Sequence, residues 1–193
     1  MKIVIGIVGQ PSAGKGTVST IIDQCALKAG VSFSHYGSRD ILKHTLDLWE
    51  IKAERANFQK LAKVMASNDG FGEGALSRAM LPHLMGSTSE IVIADGMRWP
   101  SDEKMLRGIP KNLIIYVTAD AKLRYERLKK RGGIGEKDKT WEKFLVEDKG
   151  NTETYIAEFG EHADYKVTND GTLEELVEQV DDFFQKLVLP KLK

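Results

Sequence analysis

Nine consecutive residues, Gly9-Gln10-Pro11-Ser12-Ala13-Gly14-Lys15-Gly16-Thr17, carry the densest chemistry in the chain. Glycines at the first and sixth positions let the backbone fold back so that successive N–H groups aim at one anion, and Lys15 adds a mobile positive charge. Such a turn is a phosphate cradle. The triphosphate of ATP is its natural guest, with Gly9, Ser12, Ala13, Gly14, Lys15, Gly16 and Thr17 in reach. The hydroxyl that usually follows the lysine comes one residue late, at Thr17, because Gly16 stands in its place. A second set, Asp95-Gly96-Met97-Arg98, follows the apolar run Ile91-Val92-Ile93-Ala94. There Asp95 can hold Mg²⁺ directly or through its waters, Gly96 permits close backbone approach, and Arg98 can clamp an acceptor phosphate.

Both sets need rigid elements behind them. The run Ile3-Val4-Ile5-Gly6-Ile7-Val8 is β-branched and unalternated, as a strand buried on both faces should be, and 16–29 has helical periodicity ending at Gly30. Further strands are expected at 31–36, at 91–94 and at 113–117, with a short fifth at 165–168. Between the second and third strands three helices are expected, the first starting at Ser38 as its cap and running to about Trp49. The others pass through Phe58, Leu61, Ala62 and Met65 and through Leu76, Met80 and Leu84, with Asn68-Asp69-Gly70 turning between them. Met65, Met80 and Met85 read as gap-filling core. A short helix is expected at 102–107, another at 121–131 capped by Asp120, pieces at 140–149 and 153–159, and a last helix through Leu173, Leu176, Val180, Phe183 and Leu187. Gly132-Gly133-Ile134-Gly135 reads as a hinge.

Length and composition set the outer bounds. A chain of 193 residues fits one α/β domain with a small insertion better than two domains. Its 28 basic and 28 acidic side chains cancel, so no global field draws nucleic acid or an anionic membrane, and any anion site must be a local pocket. One cysteine, Cys25, excludes an intrachain disulfide and reads as a buried structural thiol; with no signal or membrane-spanning pattern, a cytoplasmic protein is expected. The four histidines have no metal-ligand spacing, and no Ser/His/Asp or Cys/His arrangement is visible. Monomer and homodimer both remain open.

Gly-Lys-Gly-Thr after a proline-bearing loop resembles the P-loop nucleoside-monophosphate kinases, adenylate kinases among them. In that family the lysine contacts the transferred phosphoryl and the threonine the triphosphate and its Mg²⁺, which implies those roles for Lys15 and Thr17. Ser38-Arg39-Asp40-Ile41-Leu42-Lys43 is similar to the family's Thr-Gly-Asp-Met-Leu-Arg segment, implying an acceptor site with Ser38, Asp40 and Lys43, Arg39 being a possible source of the bidentate contact that a lysine lacks. Asp95-Gly96-Met97-Arg98 resembles Asp-Gly-Phe-Pro-Arg shortened by one. Glu126-Arg127 and Arg131 match Glu-Arg-x-x-x-Arg, implying Arg127 against adenine and Arg131 on the phosphates.

The resemblance implies a three-layer fold with a parallel five-stranded sheet and helices on both faces, an acceptor-binding helical insertion over 38–88 and a short lid over 132–149. No arginine follows Arg131, so the lid lacks the family's catalytic arginines; Lys137, Lys139, Lys143 and Lys149 are its cations. Asn169-Asp170-Gly171-Thr172-Leu173 looks like the closing segment of dephospho-coenzyme A and deoxynucleotide kinases, so its backbone either borders a base or is a plain turn with Thr172 as helix cap. Implied overall is ATP-dependent phosphoryl transfer, with catalytic Lys15, Asp95, Arg98 and Arg131, to a nucleoside or deoxynucleoside monophosphate. The alternatives are a dephospho-coenzyme A or other small-molecule kinase, and an ATP-binding switch or adaptor with slow ATPase activity.

Overall fold

The computed structural model describes residues 2–66, 70–72, 74–133, 136–149 and 151–193. In chain order these form β1 (Ile3–Val8), α1 (Lys15–Lys28), β2 (Phe33–Gly37), α2 (Ser38–Leu48), α3 (Arg55–Ala66), α4 (Ala75–Gly86), β3 (Ile91–Asp95) and α5 (Pro100–Arg107). There follow β4 (Asn112–Thr118), α6 (Ala121–Arg131), α7 (Trp141–Asp148), α8 (Asn151–His162), β5 (Tyr165–Thr168) and α9 (Leu173–Phe183). A π-helical turn, Phe184–Val188, leads into α10 (Leu189–Leu192). The strands lie in the order β2-β3-β1-β4-β5, every neighbouring pair parallel.

The unalternated apolar strands have the burial they predict. Ile3, Ile5 and Ile7 pack with Ile91, Ile93, Ile115 and Val117 against α1 and α9 on one face. Val4, Val8, Val92 and Ile114 meet Met80, Leu106, Ile156 and Phe159 on the other. A third, smaller cluster of Leu42, Leu46, Phe58, Leu61 and Leu76 joins α2, α3 and α4 between the second and third strands. Burying both faces leaves only the strand ends open, and in a parallel sheet the carboxyl ends are where loops converge.

Some boundaries differ from expectation. Strand pairing begins at Phe33, opposite Ile91, so β2 starts two residues late and includes Gly37. Ser38 is the first helical residue of α2 rather than its cap; Gly37 holds the cap position, and the Asp40 carboxylate accepts its N–H at 2.7 Å. Met80 is buried, but Met85 is 48 % exposed and no core filler. Gly132 ends α6 in the left-handed region at φ 67°. Residues 134 and 135 of the expected hinge, and 68 and 69 of the expected turn, lie outside the described residues. Among the described residues no helix is long and apolar enough to cross a membrane.

Candidate functional site

The loop between β1 and α1 is shaped by close approach. Gly9 sits against the Val117 carbonyl on the neighbouring strand and Gly14, at φ 106°, against the Asn169 side chain; a Cβ at either position would collide. Ser12 is also left-handed at φ 62°. Its Oγ is buried with no hydrogen-bond partner among the described residues, an orphan donor inside the loop. Lys15 Nζ donates to the carbonyls of Gly9 (2.7 Å) and Gln10 (3.1 Å), curling back over the loop it belongs to. Gly16 and Thr17 are exposed on the first turn of α1. Crowded backbone, an orphaned hydroxyl and a folded-back lysine at a helix N-terminus are the features that a polyphosphate fits.

Strand register brings the acid to the same place. Asp95 is the last residue of β3, opposite Ile7 of β1 on one side and Gly37 of β2 on the other. Oδ1 accepts the Gly96 N–H at 2.7 Å, and Oδ2 lies 3.6 Å from Nε2 of His35. Burial pushes the Asp95 carboxyl upward, but the His35 imidazole, the Lys15 charge and the Gly96 N–H outweigh it and hold the group below the ordinary carboxylate range. His35 is raised in turn, chiefly by that carboxylate and against its own burial. Sequence reasoning assigned the histidines nothing. The only available signal was that His35 falls on an alternating strand beside the one ending in Asp95.

Among the described residues no three His, Cys, Asp or Glu side chains cluster as a metal site. One carboxylate and one hydroxyl suffice for an Mg²⁺ ion held mainly by phosphates and water, so the donor set of Asp95 and Thr17 fits that group.

A cavity of about 1180 Å³ opens at the carboxyl ends of the strands. Pro11, Ser12 and Lys15 line it at the loop, and Ser38, Arg39, Gly96 and Arg98 line it along the strand ends. Leu42, Phe58, Gln59, Lys63 and Leu76 face it from α2, α3 and α4. Arg39 stacks over the Phe58 ring at 4.6 Å. Lys43 is not among the lining residues; its ammonium pairs with Asp47 at 2.5 Å on an exposed face of α2. Arg78 likewise turns away, donating to the Phe71 carbonyl. Asp40 has its carboxylate engaged at Gly37, and Ser38 Oγ lies 3.4 Å from the Gly96 carbonyl. Below Arg98, the buried Asp102 accepts the Arg98 and Trp99 N–H groups and the Ser77 hydroxyl, fixing the turn after Asp95.

The far wall is built by α6 and α7. Arg131 lines the cavity but grips Glu136 with two bonds, at 2.7 and 3.1 Å, and that carboxylate also accepts the Gly133 N–H. Lys139 is buried, lines the cavity and pairs with Glu147 at 2.5 Å. Arg124, which sequence reasoning passed over, is buried and holds Asp148 of α7 with two bonds while stacking beside Phe144. Arg127 points elsewhere: its Nη2 donates to the Asn169 carbonyl at 2.9 Å, beside the loop, and its Nη1 is buried without a partner among the described residues.

Known proteins agree with this architecture. A solved structure of TT1252 from Thermus thermophilus aligns at TM-score 0.60 and 14 % identity over 97 % of this chain and 98 % of that one. Shikimate kinase from Bacteroides thetaiotaomicron aligns at TM-score 0.60 and 17 % identity, over 97 % and 99 %. The fold is therefore a three-layer P-loop kinase fold. In sequence, UPF0200 proteins are similar across nearly the whole length. That of Pyrococcus horikoshii is 26 % identical over 96 % of this chain and 98 % of its own. That of Sulfurisphaera tokodaii is 28 % identical over 96 % and 97 %. The family model described as an AAA domain matches residues 5–151, and the chain belongs to that family, AAA_18.

Proposed function

We propose that this protein transfers the γ-phosphoryl group of ATP to a nucleoside monophosphate. The observation that carries the proposal is one cavity lined both by the loop with Ser12 and Lys15 and by Arg39 and Arg98. At about 1180 Å³ it exceeds the ~300–1,000 Å³ of single-ligand clefts, which leaves space for donor and acceptor together. Gly9, Ser12, Ala13, Gly14, Gly16 and Thr17 cradle the triphosphate, and Lys15 exchanges its two loop carbonyls for phosphate oxygens. When bound, Mg²⁺ neutralises charge between the donor oxygens; Asp95 and Thr17 are the residues that would hold it.

Arg98 clamps the acceptor phosphate. Arg39 takes the role first expected of Lys43, with Ser38 and Asp40 shaping the turn beside it. Arg127 lies toward the base, and Arg131 completes the charge around the phosphates once released from Glu136. Segment 38–88 supplies the acceptor side and 132–149 the lid that excludes water. A monophosphate oxygen is already anionic, so positioning and charge neutralisation suffice without a side-chain base.

Two rivals have their own observations. Shikimate kinases among the fold neighbours act as the model for a hydroxyl acceptor, with Asp95 orienting it. The pairing of Arg131 and Lys139 with lid acids fits a switch that hydrolyses ATP slowly. A coupled assay across nucleoside monophosphates, dephospho-coenzyme A and shikimate separates all three. Diphosphate formation dependent on a monophosphate is the expected result, and ATP turnover indifferent to every acceptor would overturn it.

A further inference from the structure

Asn169 stands just beyond β5, 9 % exposed, and 156 positions along the chain from the loop it touches. Its Nδ2 donates to the Ala13 carbonyl at 2.8 Å in a buried bond. Its backbone N–H donates to Thr118 at 2.8 Å, anchoring it to the end of β4. Its own carbonyl accepts from Arg127 Nη2 at 2.9 Å, and its Oδ1 lies 3.5 Å from the same nitrogen. The amide fills the space where a Cβ on residue 14 would stand.

We propose that Asn169 is a positioning residue that sets the shape of the 9–17 loop from across the sheet, with Arg127 holding it in place. The argument is one of peptide geometry. In a planar trans peptide the carbonyl of Ala13 and the N–H of Gly14 point in opposite directions. Tying that carbonyl to Asn169 therefore turns the Gly14 N–H away from Asn169, toward the open side of the loop from which an anion approaches. A side chain larger than hydrogen at position 14 is incompatible with this brace, so Gly14 and Asn169 act as one unit. Arg127 thereby serves the loop through Asn169. The role rests on the loop being a triphosphate cradle, but the brace itself exists in the free protein and is testable there.

The experiment compares Asn169→Ala and Asn169→Asp with Tyr165→Phe, a change at the start of β5 that removes a bond to Asp182 of α9. Amide exchange is measured in the free protein at Ala13 and Val18, whose N–H groups donate to the Gln10 and Gly14 carbonyls, and ATP binding with Mg²⁺ present is measured by calorimetry. Both Asn169 variants are expected to speed exchange at these amides, and to weaken ATP binding, by about 10- to 100-fold, the effect of losing one buried hydrogen bond. Tyr165→Phe should change neither at an equal loss of melting temperature. Asn169→Asp keeps the shape and replaces the donor by an acceptor, so it remains informative if the alanine variant folds poorly. Unchanged loop exchange in both Asn169 variants would overturn the proposal. Faster exchange in the variants with no ATP uptake by the unaltered protein would instead overturn the phosphotransferase reading and leave the brace standing.

Discussion

Lys15, half-buried, donates to two carbonyls of its own loop and lies outside the apolar clusters that hold the sheet. Lys15→Ala is expected to lower phosphoryl transfer by at least about 100-fold, the scale set by removing one preorganised charge from a transition state. The melting temperature should stay within about 2 °C, since surface changes of this kind sit within ~0.5 kcal/mol. A matching collapse of thermal stability would show that the residue is structural. His35 acts one step back, facing the free side of the Asp95 carboxylate while Gly96 fixes the other oxygen. Replacing it leaves that carboxylate less well oriented. If Asp95 holds Mg²⁺ as proposed, His35→Ala should raise the Mg²⁺ concentration needed for half-maximal ATP binding by about tenfold, the scale of losing an outer partner of a metal ligand. The check is calorimetry across a magnesium series with Asp95→Asn beside it: an effect of the aspartate variant alone would dismiss the histidine.

At the level of elements, what the chain spelled out locally was readable and what depended on phase between distant pieces was not. Both-face burial of β1, β3 and β4 was legible from β-branched runs without alternation, and α6 was legible over 121–131 because its cap, Asp120, is local, while Gly132, read only as part of a hinge, turned out to end it. Lys43 and Arg39 show the limit. Four residues apart on one helix, they differ in which partner element each meets, and only the packing of α3 puts Arg39 on the cavity over Phe58. Arg124 was missed for the same reason, since its partner Asp148 belongs to a helix whose docking no periodicity announces. That pair is the tie between α6 and α7, with side chains 5 % and 14 % exposed. Arg124→Ala strands a buried carboxylate and should cost about 3 kcal/mol, read as a lower urea midpoint. A loss under about 0.5 kcal/mol would mean the contact is an incidental surface pair. The tie between β5 and α9 is tested by alkali. Burial first, then Asp182, pushes the Tyr165 hydroxyl up to about 12. The folded form then keeps a proton that the unfolded chain releases near pH 10, so the stability this contact gives is whole below pH 10 and drains away as pH climbs to about 12. Tyr165→Phe should flatten that part of the alkaline unfolding curve, and an identical curve would remove the tie.

Across the whole molecule, 28 positive and 28 negative side chains cancel, yet Lys15, Arg39, Arg98 and Arg131 collect on one cavity at the carboxyl edge of the sheet. The field that matters is therefore local, produced by folding rather than by composition, which is why charge counting could only place the anion site in a pocket and could not say which cations would line it. Such a field should respond most to a ligand that spans it. On the proposed reading, adenosine joined through a chain of phosphates to a second nucleoside would occupy the 9–17 loop and the Arg39 and Arg98 side at once, whereas ATP or a monophosphate alone would fill one part. Because a ligand stabilises only the form that binds it, a hundredfold excess over Kd adds about 2.7 kcal/mol. For a chain of this size each kcal/mol moves the midpoint by about 2–4 °C, so the matched bisubstrate compound should raise the melting temperature by about 5–10 °C. Compounds carrying the wrong acceptor should fall back to the shift given by ATP alone, and the rank order names the acceptor base without any turnover being needed. Arg98→Ala should erase the difference between matched and mismatched compounds while leaving the ATP shift in place. If every bisubstrate compound behaves as ATP does in the unaltered protein, the rest of the cavity does not receive a nucleotide, and the choice falls to a hydroxyl acceptor or to a switch without one.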